Sequence, residues 1–596
     1  MNTTAANTVT FASINTNSND DQDLINNSWI PSQPIQPTAQ HSTIISPAAR
    51  SVSSQRSASL CSNITDGFES PGQPAPSMTE ADSPHMEPDA IEPRSPTSSS
   101  SVPASKTEMA MAQRNQSCHV VRLSSIEHCM PRAYIRVCLA YRLPPDVDFD
   151  LVIAKLNSFT FKALDAKPYL AGYVVPATDP QGRSNVAEIQ FTDQDFLNYS
   201  GVDVRYLTDD EMPYTYDELD AQGLPPSLIR PELVSTLPEG ADSDRAAVFR
   251  MQANVVKGGL IVSVYLHHCI SDGAGLGFLV AGKPLDDDFH FDRQLDSPDV
   301  VSRDRLREQL ARWCKENGDV RSNLSRFPQN QASDRQIEYK RMSELSKAPQ
   351  VARPRGQGTV FTFSKSRLDE MKEAVEKEVQ PGFVSPHDTL LALLWHHMTM
   401  ARKASVDSSI HSSKLFIPVN IRNKLAVPLS DSYFGAAVDF ACAERSLSQF
   451  AGYETADRPQ TLAELAIAIR KAIAEVNDAY IRQLIAVANL PDPEIDMRDV
   501  MATNMNRASG ADMYITSWEK LGLYDATFGM GLGKPDWVRK PWSRDPGSCV
   551  VLPRDDRKED MEVLVQMTED DMARLLMDGI FMSFVTRVID GDRKVP

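Results

Sequence analysis

No Cys-x-x-Cys pair occurs in the 596 residues, and the eight cysteines, at 61, 118, 129, 138, 269, 314, 442 and 549, stand far apart. That scatter fits reduced thiols filling cores, so neither a disulfide framework nor a bound metal is expected. Also missing are any Lys or Arg before Arg50 and any continuous apolar stretch after Met1. Signal peptides and transit helices need one or the other, so a cytoplasmic protein is expected. No segment approaches the roughly 20 apolar residues of a membrane helix. The longest run, Leu260 to Leu266, is of strand length, and no membrane partner is expected. Positive charge is in deficit, with 61 Lys and Arg against 80 Asp and Glu for a formal charge of -19. A surface of that sign repels phosphate backbones, and no basic stripe interleaved with aromatics compensates, which argues against nucleic acid. Neither the Gly-x-Ser-x-Gly elbow of a serine hydrolase nor the His-Glu-x-x-His of a metalloprotease is found.

Domains usually hold about 100 to 200 residues, so this length implies two folded domains plus extra sequence. The extra part is visible at the start. Up to about Lys106 the chain is built from Ser, Thr, Asn, Gln and Pro, with too few apolar residues to offset the entropy of ordering, and residues 1–115 are expected to be a disordered tail. Periodicity begins near Cys118. Alternation at Tyr134, Val137, Leu139 and Tyr141 predicts a half-buried strand, and Leu151, Ala154, Phe159 and Leu164 recur at near-helical spacing. Lys167-Pro-Tyr-Leu-Ala-Gly172 then leads back into strand character. This is an α/β opening, assigned to a first domain at 116–335 that includes an amphipathic helix around Leu306 to Trp313. A crossover linker is placed at 336–356, and a second α/β domain at 357–596. There Ser364 to Val379 reads as an exposed helix, Pro386 to Met400 as a buried one, and Leu415 to Val419 as a strand ending in Asn420-Ile421-Arg422. Near the end a strand at Met561 to Met567 precedes a helix with Thr568 as N-cap and Asp571 at the third position.

The sharpest local signal is His268-Cys-Ile-Ser-Asp272-Gly273, directly after the apolar run 260–266. With 11 His and 27 Gly in the chain, such a match arises by chance only about 0.02 to 0.03 times. The bland alternative is a satisfied imidazole at a strand end. An imidazole near its ordinary pKa of about 6.5 can accept a hydroxyl proton at neutral pH, which an ordinary carboxylate does poorly. Asp272 has two possible uses: to orient the imidazole, or to turn away and pin the loop through an Arg, with Gly273 allowing the bend. Spacing alone does not choose between them. Gly273-Ala-Gly275-Leu-Gly277 looks like a dinucleotide fingerprint, but Phe278 stands where its last Gly belongs. A P-loop resemblance ends at Lys283, where Pro284 replaces the Ser or Thr. His396 and His397 fall inside a predicted buried helix, where core packing or a surface position is the simpler reading.

Further motifs stand in order along the chain. Lys167 to Gly172 resembles a Pro-x-Leu-Ala-Gly segment, and Ser385-Pro-His-Asp-Thr-Leu-Leu-Ala-Leu-Leu-Trp395 resembles a Ser-x-x-Asp-x-Leu-x-Ala-x-x-Trp helix. The stretch from Pro418 to Gly435 resembles Asp-x-Arg-x-Arg…Tyr-x-Gly, and Ile515 to Pro535 resembles Thr-Ser-Trp…Tyr-Asp-x-Asp-Phe-Gly-Trp-Gly…Lys-Pro. With the His268 to Gly273 signature, this order resembles the plant and fungal BAHD acyltransferases, and within them the fungal branch of trichothecene 3-O-acetyltransferase-like enzymes. The resemblance covers about Cys118 to the C-terminus.

It implies two chloramphenicol-acetyltransferase-like α/β domains, each a mixed sheet with flanking helices, joined by the crossover. It implies an acyl-CoA-dependent O-acyltransferase, most simply an O-acetyltransferase, acting on a hydroxyl of a small terpenoid- or polyketide-like metabolite. Acyl-CoA is then a cosubstrate, no cofactor is bound, and the protein is a monomer. His268 is implied as general base in direct transfer without an acyl-enzyme. Trp518 and Thr516 lie near the reacting carbonyl, and Asp272 becomes the structural partner of Arg422 beside Gly273. Asp525, Phe528, Gly529 and Gly531 form the DFGWG-like element, in which Thr527 and Met530 replace Asp and Trp, while Asn420 replaces the Asp of Asp-x-Arg. These departures bear on coenzyme A affinity and loop rigidity. Two other readings of the same fold are N-acylation of an amine and a catalytically inactive binding protein.

Overall fold

The computed structural model describes residues 118–179, 182–237, 244–286, 356–426, 428–450, 458–488, 505, 510–541, 543 and 546–590. The tail, the helix expected around Leu306 to Trp313 and the crossover up to residue 355 lie outside the described residues. The first part of the chain holds strands β1 (Cys118–Arg122), β2 (Tyr134–Arg142), β3 (Tyr173–Pro176), β4 (Ala187–Thr192), β5 (Asp203–Tyr206), β6 (Ala246–Ala247), β7 (Phe249–Val256) and β8 (Gly259–His267). Helix α1 (Phe149–Ala166) follows β2, and α2 (Gly273–Val280) follows β8. The second part holds β9 (Gly356–Phe363), β10 (Ser412–Asn420), β11 (Val438–Ser446), β12 (Met513–Ser517), β13 (Trp537–Arg539), β14 (Ser548–Val551), β15 (Met561–Thr568) and β16 (Val585–Asp590). Its principal helices are α3 (Lys365–Val379), α4 (Pro386–Arg402), α5 (Arg458–Glu475) and α6 (Glu569–Met577).

Three sheets result. One has the order β1-β4-β3-β6, a second β13-β2-β8-β7-β5, and a seven-stranded third β11-β10-β12-β14-β15-β9-β16. The second and third mix parallel and antiparallel pairs, which with flanking helices makes the α/β class expected. The sheet built from the first part is not closed by the first part alone: β13 comes from beyond residue 530 and pairs antiparallel with β2, Val538 opposite Leu139. Each half therefore shares backbone hydrogen bonds with the other.

Several expectations shift. Strand β2 is buried at eight of its nine positions rather than half-buried. It lies between β13 and β8, and its two faces enter different cores: Val137, Leu139 and Tyr141 in one, Cys138 and Ala140 in another. In α1, Leu151 is 50% exposed, and the buried face is Val152, Leu156, Thr160, Ala163 and Leu164. At 3.6 residues per turn those five fall within about 120°, whereas Leu151, Ala154, Phe159 and Leu164 spread around the cylinder. Strand β9 begins at Gly356, inside the stretch expected as linker, because Gly356 already pairs with Thr568 of β15. Helix α4 starts where expected, with a capping box between Ser385 and Asp388, and buries Trp395, whose indole N–H donates to Ser413 Oγ at 2.9 Å. His396 and His397 are both buried in it. Thr568 caps α6 by accepting from the Asp571 N–H. Among the described residues no helix is long and apolar enough to cross a membrane.

Candidate active site

Strand β8 reads Gly-Leu-Ile-Val-Ser-Val-Tyr-Leu-His and is buried at every position, because it is hydrogen-bonded to β2 on one side and β7 on the other. It delivers His268 as the first residue past the sheet. The His268 N–H donates to the Ala133 carbonyl at 2.8 Å, and the chain turns at once, Ile270 N–H to His267 O at 2.9 Å. His267 is fully buried, and its Nδ1 accepts the Cys269 N–H at 3.2 Å, which stiffens that turn. Burial lowers the His268 pKa below 6.5 against the opposing pull of Asp272, so the ring is neutral at pH 7. Its Nδ1 is buried, and the residue lies on the wall of a cavity.

Asp272 does not touch the imidazole. It caps α2 by accepting the Gly275 N–H at 3.0 Å, accepts the Ala437 N–H at 2.8 Å, and receives both ends of the Arg422 guanidinium at 2.8 and 3.1 Å. Burial alone would raise its pKa, but Arg422 and the two backbone donors more than offset this and hold the carboxyl below its usual range. Arg422 is equally committed, donating to the carbonyls of Tyr433 and Gly435 and to Asn420 Oδ1. Asn420, replacing an Asp, keeps the acceptor that this arginine and its own N–H use. Of the two uses open to Asp272, the geometry is the second: pinning the motif loop to the other half of the molecule. Ser271 adds to the pin, its hydroxyl donating to the Phe434 carbonyl.

Helix α2 presses against the loop after β12. A Cβ on Gly277 would run into the carbonyl oxygen of Leu521, and one on Gly273 would come within 3.0 Å of the Leu521 side chain. The Gly-x-Gly-x-Gly run thus serves close helix–loop packing rather than a phosphate. Three residues before Leu521, Trp518 is held by its N–H to the Val551 carbonyl at 2.8 Å. A cavity of about 350 Å³ is lined by His268, Asp272, Gly273 and Arg422 together with Thr516 and Trp518, so these six sequence-derived residues meet at one place. The size falls in the range of sites that enclose small organic molecules.

The DFGWG-like element is not among the cavity residues. Asp525 pairs with Lys534 at 3.1 Å near the surface. Phe528 packs its ring edge-on against Phe159 of α1, centroids 4.8 Å apart, and against Tyr141 of β2. Phe528, Gly529 and Gly531 all have positive φ, at 48°, 66° and 82°. The element is a left-handed turn that fastens the C-terminal chain to the N-terminal half and feeds it into β13. Met530, replacing Trp, remains buried at 5% exposure.

Sequence reasoning missed Arg539, which is 1% exposed and ties the halves together by donating to the Gly223 carbonyl and, bidentate, to Glu562. It also missed Tyr514 and Phe440 in the cavity wall. Strand alternation gives a signal for Tyr514, two positions before Thr516 on the same face.

Residues 217–581 match the Transferase family, and residues 133–281 match the trichothecene 3-O-acetyltransferase-like N-terminal domain. Among curated proteins, the chain is similar to the O-acetyltransferase ptmV of Penicillium ochrochloron, 24% identical over 508 residues, covering 78% of this chain and 96% of that one. It is also similar to the eremophilane O-acetyltransferase ORF8 of Penicillium roqueforti, 27% identical over 382 residues, covering 62% and 78%. Among solved structures, F. sporotrichioides TRI101 in complex with coenzyme A and T-2 superposes with a TM-score of 0.59 at 21% identity, over 79% of this chain and all of that one, which supports the shared fold. With the matched region running through the His268 signature, the Asp272–Arg422 pin and the Trp518 loop, the chain belongs to the BAHD transferase family and is an acyltransferase with a trichothecene 3-O-acetyltransferase-like N-terminal domain.

Proposed function

We propose that the protein transfers an acetyl group from acetyl-coenzyme A to a hydroxyl of a small, largely apolar metabolite, with His268 as general base. The observation that carries this reading is a neutral imidazole at the meeting of the two halves, beside Thr516 and Trp518, with the neighbouring carboxylate locked away from it. His268 takes the acceptor's hydroxyl proton as the oxygen attacks the thioester carbonyl. The tetrahedral oxyanion is stabilised by the Trp518 indole N–H, with Thr516 alongside, an effect worth about 10² to 10³ in rate per donor. Collapse breaks the carbon–sulfur bond, and the departing thiolate takes the proton back from the imidazolium. No acyl-enzyme forms and no metal enters.

The names of the relatives support the donor and the reaction: several are O-acetyltransferases, and one solved neighbour holds coenzyme A with T-2. The cavity favours a neutral acceptor over an amine. Asp272 is its single carboxylate among the described residues, and Arg422 already neutralises it, so an ammonium would have no countercharge. The test is acetyl transfer with purified protein, acetyl-coenzyme A and parallel panels of hydroxylated terpenoids and polyamines, read by product mass. Acetyl esters on the alcohols are expected; amides alone would overturn the reading.

A further inference from the structure

Strands of the C-terminal sheet line the cavity, mostly by alternate residues, with Ser517 beside Thr516 as the exception on β12. Strand β12 contributes Thr516 and Tyr514, and β14 contributes Val550 and Ser548, with Thr516 opposite Val550 and Tyr514 opposite Ser548. Strand β11 contributes Val438 and Phe440. Positions two apart on a strand share a face and lie about 7 Å apart. The cavity floor therefore runs along the strands by one such step, from Thr516 at the reacting end to Tyr514. Along these strands it goes no further: among the described residues, the next positions on the same face, Asp512 just before β12 and Cys442 of β11, do not line it. Phe440, which by register lies one step nearer the reacting end than Tyr514, meets it diagonally with ring centroids 5.6 Å apart and planes at 69°, an edge-to-face pair, and both pack against the cluster of Phe416 and Met505, of which Met505 also lines the cavity.

We infer that Tyr514 and Phe440 are a size stop for the acceptor: their paired rings set how far the hydrocarbon skeleton extends beyond the hydroxyl delivered to His268. An acetyl group carries two carbons and does not need a further 7 Å of apolar wall, so this end is assigned to the acceptor rather than to the acetyl group. The ring pair contacts hydrocarbon and discriminates by length and bulk instead of by charge. This inference rests on the proposed acetyl transfer to a hydroxyl.

The experiment uses the full chain, acetyl-coenzyme A and a series of straight-chain primary alcohols as probes, measuring kcat/KM against chain length for wild type, Tyr514→Ala, Phe440→Ala and Tyr514→Phe. In wild type each added methylene should raise kcat/KM by about fourfold until a cut-off is reached. Removing either ring should move the cut-off outward by two or more carbons, a gain of about tenfold or more on the alcohols just beyond it. Tyr514→Phe, which keeps the ring, should follow wild type. Because the two rings stand on different strands, failure of one variant to fold leaves the other as the test. An unchanged cut-off in an active alanine variant overturns the inference while leaving the acetyl transfer intact. So does relaxation that appears only when the acyl-CoA is lengthened from acetyl to octanoyl with a short alcohol held fixed. A wild-type protein that acetylates neither these alcohols nor the hydroxylated terpenoids removes the parent reading, and the size stop falls with it.

Discussion

At the scale of single residues, the site is arranged around a carboxylate that is kept from the base. Asp272 and Arg422 are each 4% exposed and satisfy one another with backbone groups from both halves. Removing one member of such a pair strands the other charge in the interior, which costs about 3 to 5 kcal/mol. Arg422→Met should therefore lower unfolding stability by about that much, measured from denaturant midpoints. A loss below about 1 kcal/mol would mean that the pair is solvated and does not pin the loop. His268, Asp272 and Gly273 were legible because they form one local motif. The partner was not: in the residues alone, nothing connects positions 272 and 422, and the resemblance to the family supplied that link. Asn420 shows the limit of reading by motif. Asn preserves the acceptor oxygen on Arg422 that the motif's Asp would supply, while removing its charge.

At the scale of elements, the halves are held by a short piece of chain with little periodic signal. Periodicity identified β8, β10, α4 and α6 because each is long enough for its burial pattern to repeat. It did not assign β13 to the N-terminal sheet, since three residues give no pattern and the pairing with β2 is set by the turn that precedes it. That turn uses left-handed backbone at Phe528, Gly529 and Gly531. A Cβ at Gly531 would meet no neighbour within 4 Å, so the demand there is conformational rather than spatial. Gly531→Ala should cost about 1 to 2 kcal/mol, the penalty for an L-residue in that region, and should lower the thermal midpoint measured by calorimetry. An unchanged midpoint would show that the turn tolerates a different backbone path. The same residues explain why Thr527 and Met530 can replace the usual Asp and Trp: the turn lies outside the cavity and works through its backbone and the Phe528 ring.

At the scale of the whole molecule, buried imidazoles make the fold sensitive to acid. Burial pushes His128 down to about 3 with help from Arg132, pushes His396 down to about 3, and holds His267 well below 6.5. Below pH 6.5 the unfolded chain takes up protons at these positions that the folded chain refuses. Stability is therefore fully present above about pH 6.5 and falls as pH drops, by about 1.4 kcal/mol per pH unit for each such group. Denaturant unfolding at pH 7.0 and pH 5.5 should show a loss of several kcal/mol, and equal stability at the two values would contradict the burial of these rings. The molecule keeps these imidazoles, His268 among them, neutral in the range where a base must be neutral to act.

The measurement that bears most directly on this account is acceptor-dependent thiol release from acetyl-coenzyme A by His268→Ala beside wild type, with folding of both followed by circular dichroism. A folded variant should lose about 10² to 10⁴ in kcat, the usual contribution of a positioned general base. Turnover within about tenfold of wild type would mean that another group takes the proton and that His268 is not the base.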